Sequence, residues 1–142
     1  MIKKFIHRNV RMCLLGIRNG YFNHWHGMNV HPTARISLKA KLDKTNPKGI
    51  HIGEGSYVAF GAVLLAHDMS RLLHKDVVIG KNCFIGCNSI ILPGVTIGDS
   101  VIVGSGSVVT KSFGDNVLIA GNPAKVVKTG IRTKALGIID DQ

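Results

Sequence analysis

An aliphatic residue returns every six positions along most of this chain. Ile79, Ile85, Ile91, Ile97, Val103 and Val109 form one unbroken run, with Ile52, Val58, Leu64 and Val30, Ile36, Leu42 upstream. The fourth residue after these positions is small or β-branched: Ala34, Ala40, Ser56, Ala62, Cys83, Ser89, Val95, Val101, Ser107. Gly often follows at once, as Gly53, Gly80, Gly86, Gly98 and Gly104. A helix repeats one face every 3.6 residues and a strand every two, so neither gives this period. Short strands joined by tight corners do. The aliphatic residue and the residue four on both point inward, and Gly is expected to let the backbone turn. Three hexads close one triangular coil, so the expected fold is an all-β solenoid with a buried aliphatic column.

The period slips twice. Leu42 to Ile52 is a step of ten, so residues around Thr45 to Gly49 are expected to bulge. Leu64 to Ile79 is a step of fifteen, read as two hexads plus three, with the surplus in HDMSRLLHKD. Loops extruded from a solenoid cap it or form a binding site. The expected organisation is an amphipathic helix and linker over 1–29, a coil over 30–120 with an extruded loop over 67–76, and a basic tail over 121–142.

Ile2, Phe5, Ile6, Val10, Cys13, Leu14 and Ile17 follow helical spacing, with Lys3, Lys4, Arg8, Arg11 and Arg18 elsewhere around the helix. That face is expected to pack across the end of the coil and cap its strand edges. The alternative is a basic amphipathic helix on an anionic membrane. Its apolar run is too short to span a bilayer and basic residues precede it, so the chain reads as cytoplasmic, with membrane association on the cytoplasmic face left open. Cys13, Cys83 and Cys87 lack CxxC spacing and are expected to be buried small residues in a reducing compartment, with no metal. Lys and Arg (18) outnumber Asp and Glu (8), giving +10, and Glu54 is the only Glu. That balance favours a polyanionic partner or a phosphate-rich cofactor. Nucleic acid is not expected, because the basic residues lack interleaved aromatics or a binding motif.

The stretch IGKNCFIGCNSIILPGVTIGDSVIVGSGSVVTKSFGDNVLIAGNPAKVVK resembles the hexapeptide-repeat acyltransferases of the galactoside, maltose and polysaccharide O-acetyltransferase group. The motifs GVTIG, GSGSVVTK and AGNPAKV, in that order, carry the resemblance. It implies a left-handed parallel β-helix and a homotrimer with acetyl-CoA in a groove between subunits. It also implies His67, in LLAHD, as the catalytic base that takes the proton of an acceptor hydroxyl. Asp68 is expected to orient the ring or contact the acceptor. The donor contacts implied are Cys87, Ser105, Thr110, Lys111, Lys125 and Lys128, the lysines meeting the nucleotide phosphates.

The expected function is therefore an acetyl-CoA-dependent O-acetyltransferase acting on a saccharide, in capsule, exopolysaccharide or O-antigen synthesis. The chain departs from the sugar enzymes at Asn82-Cys83-Phe84 and in a shorter loop after His67, both of which bear on the acceptor. A serine-type acetyltransferase would need a long helical domain before Val30. A γ-carbonic anhydrase needs three His around one metal, and no His follows Ile79. A non-catalytic scaffold is the remaining alternative.

Overall fold

The protein, as a computed structural model, is described over residues 1–140; positions 141–142 of the expected tail lie outside the described residues. It opens with helix α1 (Ile2–His26), which stops at Gly27 in the left-handed conformation at φ 71°. Very short strands follow. The first coil holds β1 (Asn29–Val30), β2 (Arg35–Ile36) and β3 (Lys41–Leu42), and the second β4 (Ile50–Ile52), β5 (Tyr57–Val58) and β6 (Val63–Leu64). A hairpin of β7 (His67–Asp68) and β8 (Leu73–His74) interrupts the stack. The third coil then holds β9 (Val77–Ile79), β10 (Phe84–Ile85) and β11 (Ile90–Ile91), and the fourth β12 (Thr96–Ile97), β13 (Ile102–Val103) and β14 (Val108–Val109). An antiparallel pair, β15 (Val117–Gly121) and β16 (Ala124–Thr129), and the small pair β17 (Thr133–Lys134) and β18 (Ile138–Ile139) end the chain.

The chain visits three parallel faces in rotation. β1, β4, β9 and β12 form the first; β2, β5, β10 and β13, extended by β15, the second; β3, β6, β11 and β14 the third. The hexad residues pair in register: Ile36 with Val58, Val58 with Ile85, Ile85 with Val103, and Leu42 with Leu64. Every hexad aliphatic, and every small residue four positions on, is buried. The hydroxyls inside this column are satisfied. Ser56 donates to Gly80 O at 2.7 Å and accepts from the Cys83 N–H at 2.9 Å, while Ser89 donates to Gly86 O at 2.6 Å. Burial pushes the Cys83 thiol up to about 11, so it stays protonated and acts as packing. The other two cysteines differ from expectation: Cys13 is exposed and Cys87 half-buried.

Glycine does a different job from the one expected. The residues with left-handed φ at the corners are Gly55, Gly61, Asn82, Asn88, Gly94, Ser100 and Gly106, not the Gly that follows each aliphatic. The latter mark where successive coils touch. A Cβ on Gly53 would lie 2.5 Å from Gly80 O, and one on Gly80 would lie 2.5 Å from Gly98 O. We therefore expect Gly80→Ala to cost roughly 1–3 kcal/mol through forced backbone separation, read as a lower urea midpoint with an unchanged slope.

The slip between Leu64 and Ile79 also differs from expectation. It crosses a single corner, from β6 on the third face to β9 on the first, so a larger surplus leaves the stack. Helix α1 differs more. Ile2, Phe5, Ile6, Val10, Cys13, Leu14 and Ile17 do not pack across the coil but are exposed or, for Cys13, left at the surface. The helix buries only Asn19 and Phe22. Capping is done by polar side chains: Arg18 Nη1 donates to Ile36 O at 2.9 Å, Asn19 to Ala34 O at 2.8 Å, and Asn23 exchanges two 2.8 Å bonds with the Val30 backbone. An end coil has unpaired backbone groups that need hydrogen-bond partners, which apolar side chains cannot supply. No helix among the described residues is long and apolar enough to cross a membrane.

Candidate functional site

Both slips in the period leave the stack at one corner, between the third and first faces, on successive coils. Because Leu42 pairs with Leu64, the residues that follow each lie one above the other. Asp43 thereby meets His67. The Asp43 carboxylate is buried, its side chain only 2% exposed. Its Oδ1 accepts from the backbone N–H groups of Thr45 (2.8 Å) and Asn46 (3.4 Å). Its Oδ2 accepts from the Ala66 N–H (2.8 Å) and from His67 Nδ1. Burial alone raises this carboxyl's pKa. The bonds from His67, Ala66, Thr45 and Asn46 together outweigh it and hold the group below the usual carboxylate range.

The consequence for the ring is chemical. An ionised carboxylate on Nδ1 keeps the proton there and leaves the Nε2 lone pair available as a base. The bulge itself is built to hold this pair. Asn46 Nδ2 donates to Ala66 O at 2.8 Å, and a Cβ on Gly49 would approach that nitrogen to 2.7 Å, so Gly49 makes room for the contact.

Asp68 does not orient the ring, contrary to one expectation. Its Oδ1 accepts from the Ser70 hydroxyl at 2.6 Å and its Oδ2 from Arg71 Nε at 2.7 Å. The Ser70 and Arg71 bonds hold its carboxyl at about 2 and tie off the turn between β7 and β8. Asp43 was missed in the sequence, yet a signal was present: both slips follow third-face aliphatics, so the residues after them had to stack.

The residues expected to hold the donor fall at one further corner, at the His67 corner on a later coil, and along one edge strand. Cys87 and Ser105 stack at the corner between the second and third faces, Cys87 Sγ donating to Ser105 Oγ at 3.2 Å. The turn after β15 reaches the same corner, where the Gly121 N–H donates to Ser107 Oγ at 3.1 Å. Lys125 pairs with Ala120 close to that turn, while Lys128 pairs with Leu118 further along β16. Thr110 and Lys111 follow β14 at the corner that carries His67, two coils away. Lys111 Nζ lies 5.6 Å from the Phe113 ring centre. Among the described residues, Lys111, Lys125 and Lys128 face no carboxylate partner, a donor set that fits phosphates. One chain thus does not gather the His67 corner and the Cys87–Ser105 corner into one pocket; the third face separates them. No cluster of three or more His, Cys, Asp or Glu able to hold a metal ion occurs among the described residues.

Comparison with known proteins adds the following. Residues 76–111 match the family model described as bacterial transferase hexapeptide (six repeats). The Bacillus subtilis (strain 168) protein YvoF, named as an acetyltransferase, is 31% identical over 119 residues, covering 81% of this chain and 68% of that one. The galactoside O-acetyltransferase of Escherichia coli (strain K12) is 32% identical over 117 residues, covering 76% of this chain and 57% of that enzyme. Among solved structures, a galactoside acetyltransferase in complex with coenzyme A superposes with a TM-score of 0.63 at 25% identity, over 80% of this chain and 70% of that one.

Proposed function

The chain belongs to the hexapeptide-repeat acetyltransferase family, and on that premise we propose that it transfers an acetyl group from acetyl-CoA to a sugar hydroxyl, with His67 as general base. The observation that carries this reading is the His67–Asp43 pair, built from two excursions that share one corner. His67 Nε2 takes the hydroxyl proton as the acceptor oxygen attacks the thioester carbonyl. The C–S bond breaks, and the proton held on Nε2 passes to the departing thiolate, returning the ring to its starting form. Asp43 keeps the ring in one tautomer and offsets its charge while it is doubly protonated.

The donor is assigned to Cys87, Ser105, Thr110, Lys111, Lys125 and Lys128, the lysines on the nucleotide phosphates. Because the His67 corner and the Cys87–Ser105 corner lie apart within one chain, the site is completed by a neighbouring copy. A homotrimer of left-handed β-helices, each lending one corner to the next, supplies that arrangement. Relatives named for galactoside O-acetylation support a saccharide acceptor, and saccharides of capsule, exopolysaccharide or O-antigen type are the class to screen first.

The test is a calorimetric titration of the protein with acetyl-CoA, followed by an acceptor screen. Binding at one site per chain is expected, and no binding by folded protein would overturn the reading. Lys111→Ala should raise the KM for acetyl-CoA about three- to tenfold with kcat nearly unchanged, the loss of one charge-assisted contact. The difference should shrink at high salt.

A further inference from the structure

Helix α1 turns its apolar side away from the rest of the protein. Ile2, Ile6, Val10, Ile17 and Tyr21 follow one another at helical spacing, and all are exposed, Ile2 at 75% and Ile17 at 66%. Trp25 extends the exposed surface at the helix end, at 79%. The opposite side presents Asn19 and Phe22 to the first coil. A surface that remains in water rarely keeps so long a strip of large apolar side chains uncovered.

The charges around the strip say what covers it. The helix carries Lys3, Lys4, Arg8, Arg11 and Arg18, and no Asp or Glu precedes Asp43. Beside it lies an open cleft of about 530 Å³ whose walls include Arg11, Arg18, Arg35 and Lys39 together with Leu38 and Phe60. None of those four cations is in an ion pair among the described residues. A cover must therefore be apolar along the strip and anionic along its flank. A second copy of the helix meets the first condition and fails the second, since it brings its own cations and no carboxylate.

We propose that α1 is a membrane-docking helix, lying in the plane of a bilayer that contains anionic phospholipid. The apolar strip enters the boundary between headgroups and acyl chains, and the basic flank and cleft engage lipid phosphates beside it. The polar bonds from Arg18, Asn19 and Asn23 to the first coil hold the helix in that orientation. This docking is independent of the acyl-transfer reading and is tested without turnover.

The experiment is co-sedimentation of the full chain with vesicles of phosphatidylcholine alone or mixed with phosphatidylglycerol. Binding to the mixed vesicles should exceed binding to the neutral ones by roughly tenfold or more and fall as salt is raised. The double variant Ile6→Asp/Ile17→Asp should weaken it at least about tenfold, with an unchanged thermal transition because both side chains are exposed. Lys3→Glu/Lys4→Glu/Arg8→Glu should weaken it on the order of a hundredfold. Failure to sediment, equal binding to neutral vesicles, or wild-type binding by either variant would overturn the proposal. So would loss of self-association by Ile6→Asp/Ile17→Asp in a protein that ignores vesicles, which would make the strip an interface between copies.

Discussion

Replacing His67 with Ala is expected to lower kcat for acetyl transfer by roughly 10²–10⁴-fold and to leave calorimetric binding of acetyl-CoA close to wild type. In the proposed mechanism the ring nitrogen not committed to Asp43 accepts the acceptor's proton, whereas Cys87 and Ser105 stack at a different corner. Loss therefore falls on the chemical step. The variant also deprives a buried carboxylate of a donor, worth about 1–3 kcal/mol of stability, so the kinetics are compared at a temperature where both proteins are folded. Wild-type turnover by folded His67→Ala would remove this residue from the mechanism.

The second large effect is expected at Asp43. Asp43→Asn keeps the size of the side chain but puts an amide NH₂ against either the Thr45 and Asn46 N–H groups or the Ala66 and His67 donors. In the second orientation the ring loses the acceptor that fixes its tautomer, and in either one it loses the negative charge that offsets its doubly protonated form. We expect kcat to fall by roughly 10²–10⁴-fold, with the KM for acetyl-CoA unchanged. A variant that merely loosened the fold would move both. In the proposed mechanism Asp43 acts through His67, as a positioning residue.

The same substitution has a pH signature in stability. The folded-state pKa of Asp43 lies below its ordinary value of 3.8. A depressed carboxyl contributes stability that is fully present above its unfolded value and is lost as pH falls through the lower folded value. The difference in unfolding free energy between wild type and Asp43→Asn should therefore narrow steadily as pH falls below about 4. A difference that widened in acid would contradict the assignment of that carboxylate as ionised.

The coil was legible because burial in it is strictly periodic: Ile85, Ile91 and Ile97 announce three successive inward positions with no help from distant residues. His67 was legible through the motif around it. Asp43 was not, because its importance comes from a contact with a residue on the next coil, and a lone Asp beside a bulge looks like any turn carboxylate. Asp68, adjacent to His67 in the chain, attracted the role instead; its short side chain is taken up by Ser70 and Arg71. The helix shows a different gap. Its spacing gave the apolar strip correctly but contains nothing about which way that strip points. The orientation was settled by Arg18, Asn19 and Asn23, whose polar groups meet the bare backbone of the first coil.

The glycine contacts between coils have a consequence for how such a chain can be edited. With Gly53, Gly80 and Gly98 setting how closely successive coils approach, the stack behaves as a ruler whose graduations are backbone atoms. Asp43 and His67 emerge from the first two coils, just before these graduations begin, where the Leu42–Leu64 pairing sets the register. The hairpin beyond His67 can then lengthen, shorten or change its residues, and coils can be added beyond β14, without altering the distance between His67 and Asp43. A single residue inserted between Ile50 and Leu64 has no such freedom, for it shifts one mark against the next. The hairpin and the His67–Asp43 geometry are thereby separately variable in this architecture.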